Sequence, residues 1–144
     1  MKATLRILTI VTISVAILAT MVTPAEARVL SEKCRTHSGW NNFKVCVYVN
    51  EHDTYQWNEA NSYCLTACYP KIDAIYVDWL RLYYGNTAVR VTQPDRWVLS
   101  FSISTDWADD SCGYTKAGVR YRVRWHGQTS GYWELYTNAV YDCP

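Results

Sequence analysis

The 144-residue chain carries 14 Lys and Arg, 13 Asp and Glu, six Cys, seven Trp, twelve Tyr and two Phe. That length suits one domain rather than two. Without Lys2, Arg6 and Glu26, the stretch Arg28–Pro144 holds 12 basic and 12 acidic side chains, a balance that argues against a nucleic-acid binder, which needs a basic excess. Its aromatic content and low charge exclude disorder, and no run in it approaches the roughly 18 apolar residues of a membrane helix.

The opening segment reads as a secretion signal. Lys2 and Arg6 precede the apolar run Ile7–Val22, Pro24 ends it, and Ala25-Glu26-Ala27 supplies a small-x-small cleavage site. Cleavage after Ala27 divides the chain into a signal peptide, 1–27, and a single secreted β domain, 28–144. The competing reading, a retained membrane anchor, lacks a basic stop-transfer cluster. Extracellular location, with no membrane attachment after cleavage, is therefore expected.

In an exported chain, an even set of cysteines implies disulfides. Cys34, Cys46, Cys64, Cys68, Cys112 and Cys143 allow fifteen connectivities, of which the local one is expected: Cys34–Cys46, Cys64–Cys68 and Cys112–Cys143. A zinc site from Cys64, Cys68 and His52 would lack a second close ligand pair. No cofactor or metal is expected.

Along the chain the dominant signal is period-two alternation, the mark of half-buried strands. Lys44–Asn50 sets Val45, Val47 and Val49 against Lys44, Cys46, Tyr48 and Asn50. Tyr55–Cys68 fits either a helix, through Ala60, Tyr63, Cys64 and Ala67, or an irregular strand. Asp73–Tyr84 and Thr87–Thr92 read as a hairpin turning at Gly85-Asn86. Trp97–Ser104 reads as one strand with Trp97, Leu99, Phe101 and Ile103 on one side. Val119–His126 and Tyr132–Tyr141 read as a last hairpin around Gly127–Gly131. The expected fold is all-β, a small antiparallel β-sandwich or barrel stapled by three disulfides.

Cross-strand arithmetic then places side chains. If His126 faces Tyr132, Arg124 meets Glu134, Arg122 meets Tyr136 and Arg120 meets Asn138, while Trp125 and Trp133 look inward. A one-residue slip would set arginines against Trp and Leu. In the earlier hairpin, Tyr84 against Thr87 puts Leu82 by Val89 and Leu80 by Val91. The other side then carries Val77, Trp79, Arg81 and Tyr83, with Arg81 opposite Arg90.

Two partner-binding surfaces follow. Trp79, Arg81, Tyr83 and Arg90 combine the residue types that anchor interfaces; the competing reading, which the residue types favour, is arginines stacked on rings within the domain. Arg120, Arg122 and Arg124 form a ladder for carboxylates or phosphates, or a solvated strand face guarded by charge. The three carboxylates of Asp106-Trp107-Ala108-Asp109-Asp110 lack the spacing of a calcium loop.

No catalytic residue is expected: His37, His52 and His126 are scattered, and no Gly-x-Ser-x-Gly motif occurs. Glu51-His52-Asp53 is the nearest to an acid–base group, but neighbours in a turn point apart. A non-enzymatic binding module for a secreted protein partner therefore leads. Behind it stand a carbohydrate-binding module using Trp107 with Asn58, Asn61 and Asp109, a protease inhibitor presenting Arg28-Val29-Leu30 or Gln128-Thr129-Ser130, and last a small nuclease.

The exported 117-residue format, the even cysteine set and the aromatic strands Tyr76–Tyr84 and Val119–Trp125 resemble small exported β-sandwich proteins of actinobacteria. In particular they resemble the adaptor subunit of umbrella toxin particles. The resemblance implies a protein–protein adaptor that ties a lectin subunit to a large repeat-containing toxin, in antagonism between bacteria. It assigns no role to any particular residue.

Overall fold

The computed structural model describes residues 27–40, 42–64 and 72–143. The expected signal peptide up to Glu26, and the expected Cys64–Cys68 bridge, lie outside what is described.

Strand β2 (Phe43–His52) sets the pattern. Phe43, Val45, Val47 and Val49 are all buried on its inner side, because successive side chains of a strand point to opposite faces. A two-residue turn at Asp53-Thr54 leads into β3 (Tyr55–Cys64), with His52 opposite Tyr55. The ambiguous segment is thus a strand over its described part. On the other edge of β2 lies β1 (Arg28–His37), which no alternation announced. Cys34 faces Cys46 directly across this pair, and the two are bonded. The far edge of β3 takes two short strands, β7 (Ser102–Ser104) and β8 (Ala108–Asp109), which complete a five-stranded antiparallel sheet.

The second sheet is built on β4 (Ala74–Tyr84) and β9 (Gly113–Trp125), which pair along nearly their whole lengths. The free edge of β4 carries β5 (Thr87–Thr92) and β6 (Arg96–Val98). The free edge of β9 carries β10 (Gln128–Thr129), β11 (Trp133–Tyr136) and β12 (Val140–Asp142) in succession. Cys112 and Cys143 are bonded just beyond β9 and β12. All pairings are antiparallel, as expected, and two of the three expected bridges are present.

The sheets face each other across an apolar core. Val45, Val47, Val49 and Ala60 come from the first; Ile75, Leu80, Leu82, Val119, Tyr121 and Val123 come from the second. Burial of such a two-faced layer is the main stabilising contribution. Asn58, fully buried, crosses the gap: its amide donates to the carbonyls of Arg81 (2.8 Å) and Gly118 (2.9 Å) on the opposite sheet.

Three expectations from the alternation are corrected. Trp97–Ser104 is not one strand, because the chain leaves the second sheet after Val98 and enters the first at Ser102. Leu99 is exposed at the crossing while Phe101 is buried, its backbone held by Ser62. In the β4–β5 hairpin a bulge sets Leu82 opposite Arg90 and Arg81 opposite Val91, so Arg81 and Arg90 do not meet. In the last hairpin the turn is two residues, His126 and Gly127, both at positive φ (49° and 72°), the backbone of a tight primed turn. With that turn and one extra residue between β10 and β11, Glu134 faces Arg120, not Arg124, and Tyr136 faces Gly118. That shift is four residues, an even number, so every side chain keeps its face.

Candidate functional site

The outer face of the seven-stranded sheet takes its shape from a bulge in β4 between Val77 and Trp79. The extra residue, Asp78, lets Val77 turn inward, where it is buried, and sends Trp79, Arg81 and Tyr83 outward. Beside them β9 presents Lys116, Arg120, Arg122 and Arg124 at alternate positions.

These cations lie on rings. Arg122 is 4.8 Å from the Tyr76 and Tyr132 rings and 5.3 Å from Trp97. Arg124 is 4.3 Å from Trp97, Arg120 4.3 Å from Tyr132, and Arg81 4.3 Å from Trp79. Lys116 stands 5.3 Å from Tyr83. All fall within the roughly 6 Å over which ring quadrupoles attract cations. Tyr76 also donates to Asp95, and this bond, followed by burial, pushes its hydroxyl up to about 12.

Within this array Trp79 is only 4% exposed. Its ring packs against Tyr136 at 6.0 Å, and both rings lie over Gly118. A Cβ there would stand 2.6 Å from Tyr136 and 3.3 Å from Trp79. Glycine on β9 thus admits the cross-strand aromatic, as it does where an aromatic covers a strand glycine. Trp79 is the floor of the face, and its accessible rings are Tyr132 (41%), Tyr136 (38%) and the half-buried Trp97 and Tyr83. Arg90 leaves the face altogether: its Nε donates to the carbonyl of Trp107, 2.8 Å away on the segment between β7 and β8. The structure therefore joins Arg81, Tyr83 and the Arg120–Arg122–Arg124 ladder into one surface and adds Tyr76, Trp97, Tyr132 and Tyr136. Neither hairpin alone could announce this, since β4, β6, β9 and β11 meet only in the sheet.

Asp78 lies 3.4 Å and Glu134 3.9 Å from Arg120. Arg81, Arg122 and Arg124 make no ion pair, and their guanidinium groups make no hydrogen bond, among the described residues.

The outer face of the five-stranded sheet holds a smaller aromatic group. Trp107, 57% exposed, stacks on Trp57 at 5.7 Å and lies 5.7 Å from Tyr55. Further along, Glu59 accepts from Asn50 (3.3 Å) and Asn61 (3.0 Å). Of the residues expected beside Trp107, Asn58 belongs to the core.

Asp106–Asp110 does not act as one loop of carboxylates, because Ala108–Asp109 pairs with Tyr55 and Gln56. Asp110 instead joins Glu51 and Asp142, all with oxygens within 4.8 Å of one another. Gln56 donates to Asp110 (3.0 Å) and Asp142 (2.9 Å), and Arg28 pairs with Glu51 and Asp142. Burial, then the charges of Asp142 and Glu51, raise the Asp110 carboxyl above its ordinary value. These are oxygen donors of the kind hard cations use, gathered from β2, β8's end and β12, a grouping that sequence distance hid.

Glu51, His52 and Asp53 do not converge. Glu51 is buried and paired with the exposed Arg28, while His52 Nδ1 turns to Asp53 at 3.2 Å. Both segments expected for a protease inhibitor are paired into sheets: Arg28 and Val29 against β2, Gln128 and Thr129 against β9. No helix of the described residues is long and apolar enough to cross a membrane. Compared with protein-family models, curated proteins and solved structures, the chain matches none.

Proposed function

We propose that this protein is a secreted, non-enzymatic binding module that joins a protein partner within an extracellular complex through the outer face of its seven-stranded sheet. The observation that carries this reading is the array of Arg81, Arg120, Arg122 and Arg124 among Trp97, Tyr132 and Tyr136. Tyr, Trp and Arg anchor interfaces because each couples large apolar area to a directional polar end. Here the rings hold the guanidinium planes in place before any partner arrives, which lowers the ordering cost of association. The disulfides Cys34–Cys46 and Cys112–Cys143 suit an oxidising compartment. An adaptor in a toxin particle, between a lectin subunit and a large toxin, is one form such a complex would take.

The test is affinity purification of the tagged chain from culture supernatant of the organism that encodes it. A stoichiometric secreted partner should be retained by the wild type and lost by Tyr132→Ala with Trp97→Ala, at unchanged circular dichroism. Retention of that partner by the doubly substituted, folded chain would move the interface elsewhere.

A second reading has its own observation. Tyr55, Trp57 and Trp107 form an exposed stack with amide and carboxylate groups along the same face, the chemistry by which sugar rings are held. Glycan binding abolished by Trp107→Ala would favour it.

A further inference from the structure

The chemistry of the partner can be read from the same face, and this step rests on its being a protein interface. Arg120, Arg122 and Arg124 occupy alternate positions of β9, so their stems recur about every 6.8 Å along the strand. The rings of Tyr132, Tyr76 and Trp97 lie 4.3, 4.8 and 4.3 Å from the guanidinium carbons of Arg120, Arg122 and Arg124. Arg120 has Asp78 and Glu134 beside it, whereas Arg81, Arg122 and Arg124 have no acid partner among the described residues. The Nε groups of Arg81 and Arg122 are buried, so the terminal Nη groups are what a partner can reach. A carboxylate matches the two terminal Nη groups of a guanidinium with two parallel bonds.

We infer that the partner lays an extended acidic segment along β9, with Asp or Glu at alternate positions meeting Arg122 and Arg124. Tyr132 and Tyr136, both partly exposed, border that line and offer apolar contact to the partner's flanking side chains. A phosphate polymer suits the surface less well. Asp78 and Glu134 interrupt the positive row, and residues 28–144, with 12 basic and 12 acidic side chains, give no long-range pull on a polyanion.

The experiment titrates the full secreted chain with four fluorescent probes. They are a peptide of alternating Glu and Thr, an isomer with its Glu gathered in one block, a single-stranded oligodeoxynucleotide, and a sulfated oligosaccharide. The alternating peptide should bind about tenfold tighter than the block isomer, and more tightly than either polymer. Arg122→Gln with Arg124→Gln should remove most of that binding, Arg122→Lys should weaken it in part, and Trp107→Ala should leave it unchanged. Melting curves identify any variant that has unfolded. Equal binding of the two peptides, preference for the oligonucleotide or the sulfated sugar, no binding at all, or indifference to the double substitution would each overturn the inference. If a native partner is lost with Tyr132→Ala yet docks through a surface without carboxylates, the interface stands and the acidic segment falls.

Discussion

The His37 Nε2 atom lies 2.6 Å from the Tyr121 hydroxyl, in a hydrogen bond between the end of β1 and the middle of β9. The imidazole is stacked between Trp133 at 3.9 Å and Phe43 at 6.3 Å. Burial, and secondarily the charge of Arg35, lowers its pKa from 6.5 to about 4. The unfolded chain therefore takes up a proton first as pH falls. Stability from this group is complete above about pH 6.5, declines through the window down to about 4, and is then lost, a change of up to about 3 kcal/mol. Urea unfolding across that range should show the decline in the wild type. In His37→Phe this contribution to the slope should vanish, at a constant cost of about 1–3 kcal/mol for the orphaned Tyr121 hydroxyl.

Gly118→Ala should destabilise the domain by about 1–3 kcal/mol, because the new methyl overlaps the Tyr136 ring and crowds Trp79. Combining it with Tyr136→Ala should recover part of the loss in thermal melts. Strictly additive costs would show that the ring is free to move aside.

Asn58→Ala removes both amide donors that tie β3 to Arg81 and Gly118 across the core. Two carbonyls then lose a partner, and an expected loss of about 2–4 kcal/mol follows. Denaturation midpoints test this, and Asn58→Asp should be worse at neutral pH because it buries a charge.

Asp110→Asn should have the opposite sign. The raised carboxyl pKa means that the folded state holds its proton above the range where the unfolded state releases it. Stability from Asp110 is thus greatest at low pH and falls as pH rises through the folded value. Asparagine removes the repulsion from Glu51 and Asp142 while keeping an acceptor for Gln56, so the melting temperature should rise at pH 7 and not at pH 3. A lower value at pH 7 would mean that the negative charge is needed there, as cation binding would require.

The two described bridges should differ in weight. Cys112–Cys143 spans 31 residues and Cys34–Cys46 spans 12. Loop entropy assigns them about 4 and about 3 kcal/mol respectively, so the Cys112→Ala, Cys143→Ala pair should lower the unfolding midpoint more.

Which side a residue faces was legible wherever alternation ran unbroken, as in Val45, Val47 and Val49 or Arg120, Arg122 and Arg124, because period two is a property of the strand itself. Register was not. It hinges on single residues that pattern does not mark: the bulge at Asp78, the bulge in β5, and the short turn at His126-Gly127. The crossing from β6 to β7 was hidden because Trp97, Leu99, Phe101 and Ile103 happen to alternate across two strands of different sheets. The candidate face was half legible. Its arginines were visible as a ladder, but the rings that hold them come from β4, β6 and the segment before β11, and only tertiary pairing brings those together.

Three short strands, β10, β11 and β12, share one edge of β9, and the last is followed at once by the Cys143 bond to Cys112. A tensile load entering beyond Cys143 is delivered through that bond to the head of β9. It bypasses β12 and β11, which would otherwise peel away a few hydrogen bonds at a time. β9 is bonded to β4 along its length, so the pull is met in shear by many bonds together. With the bridge reduced, the same load unzips the edge at low force, which makes Cys112–Cys143 the mechanical clamp of the domain.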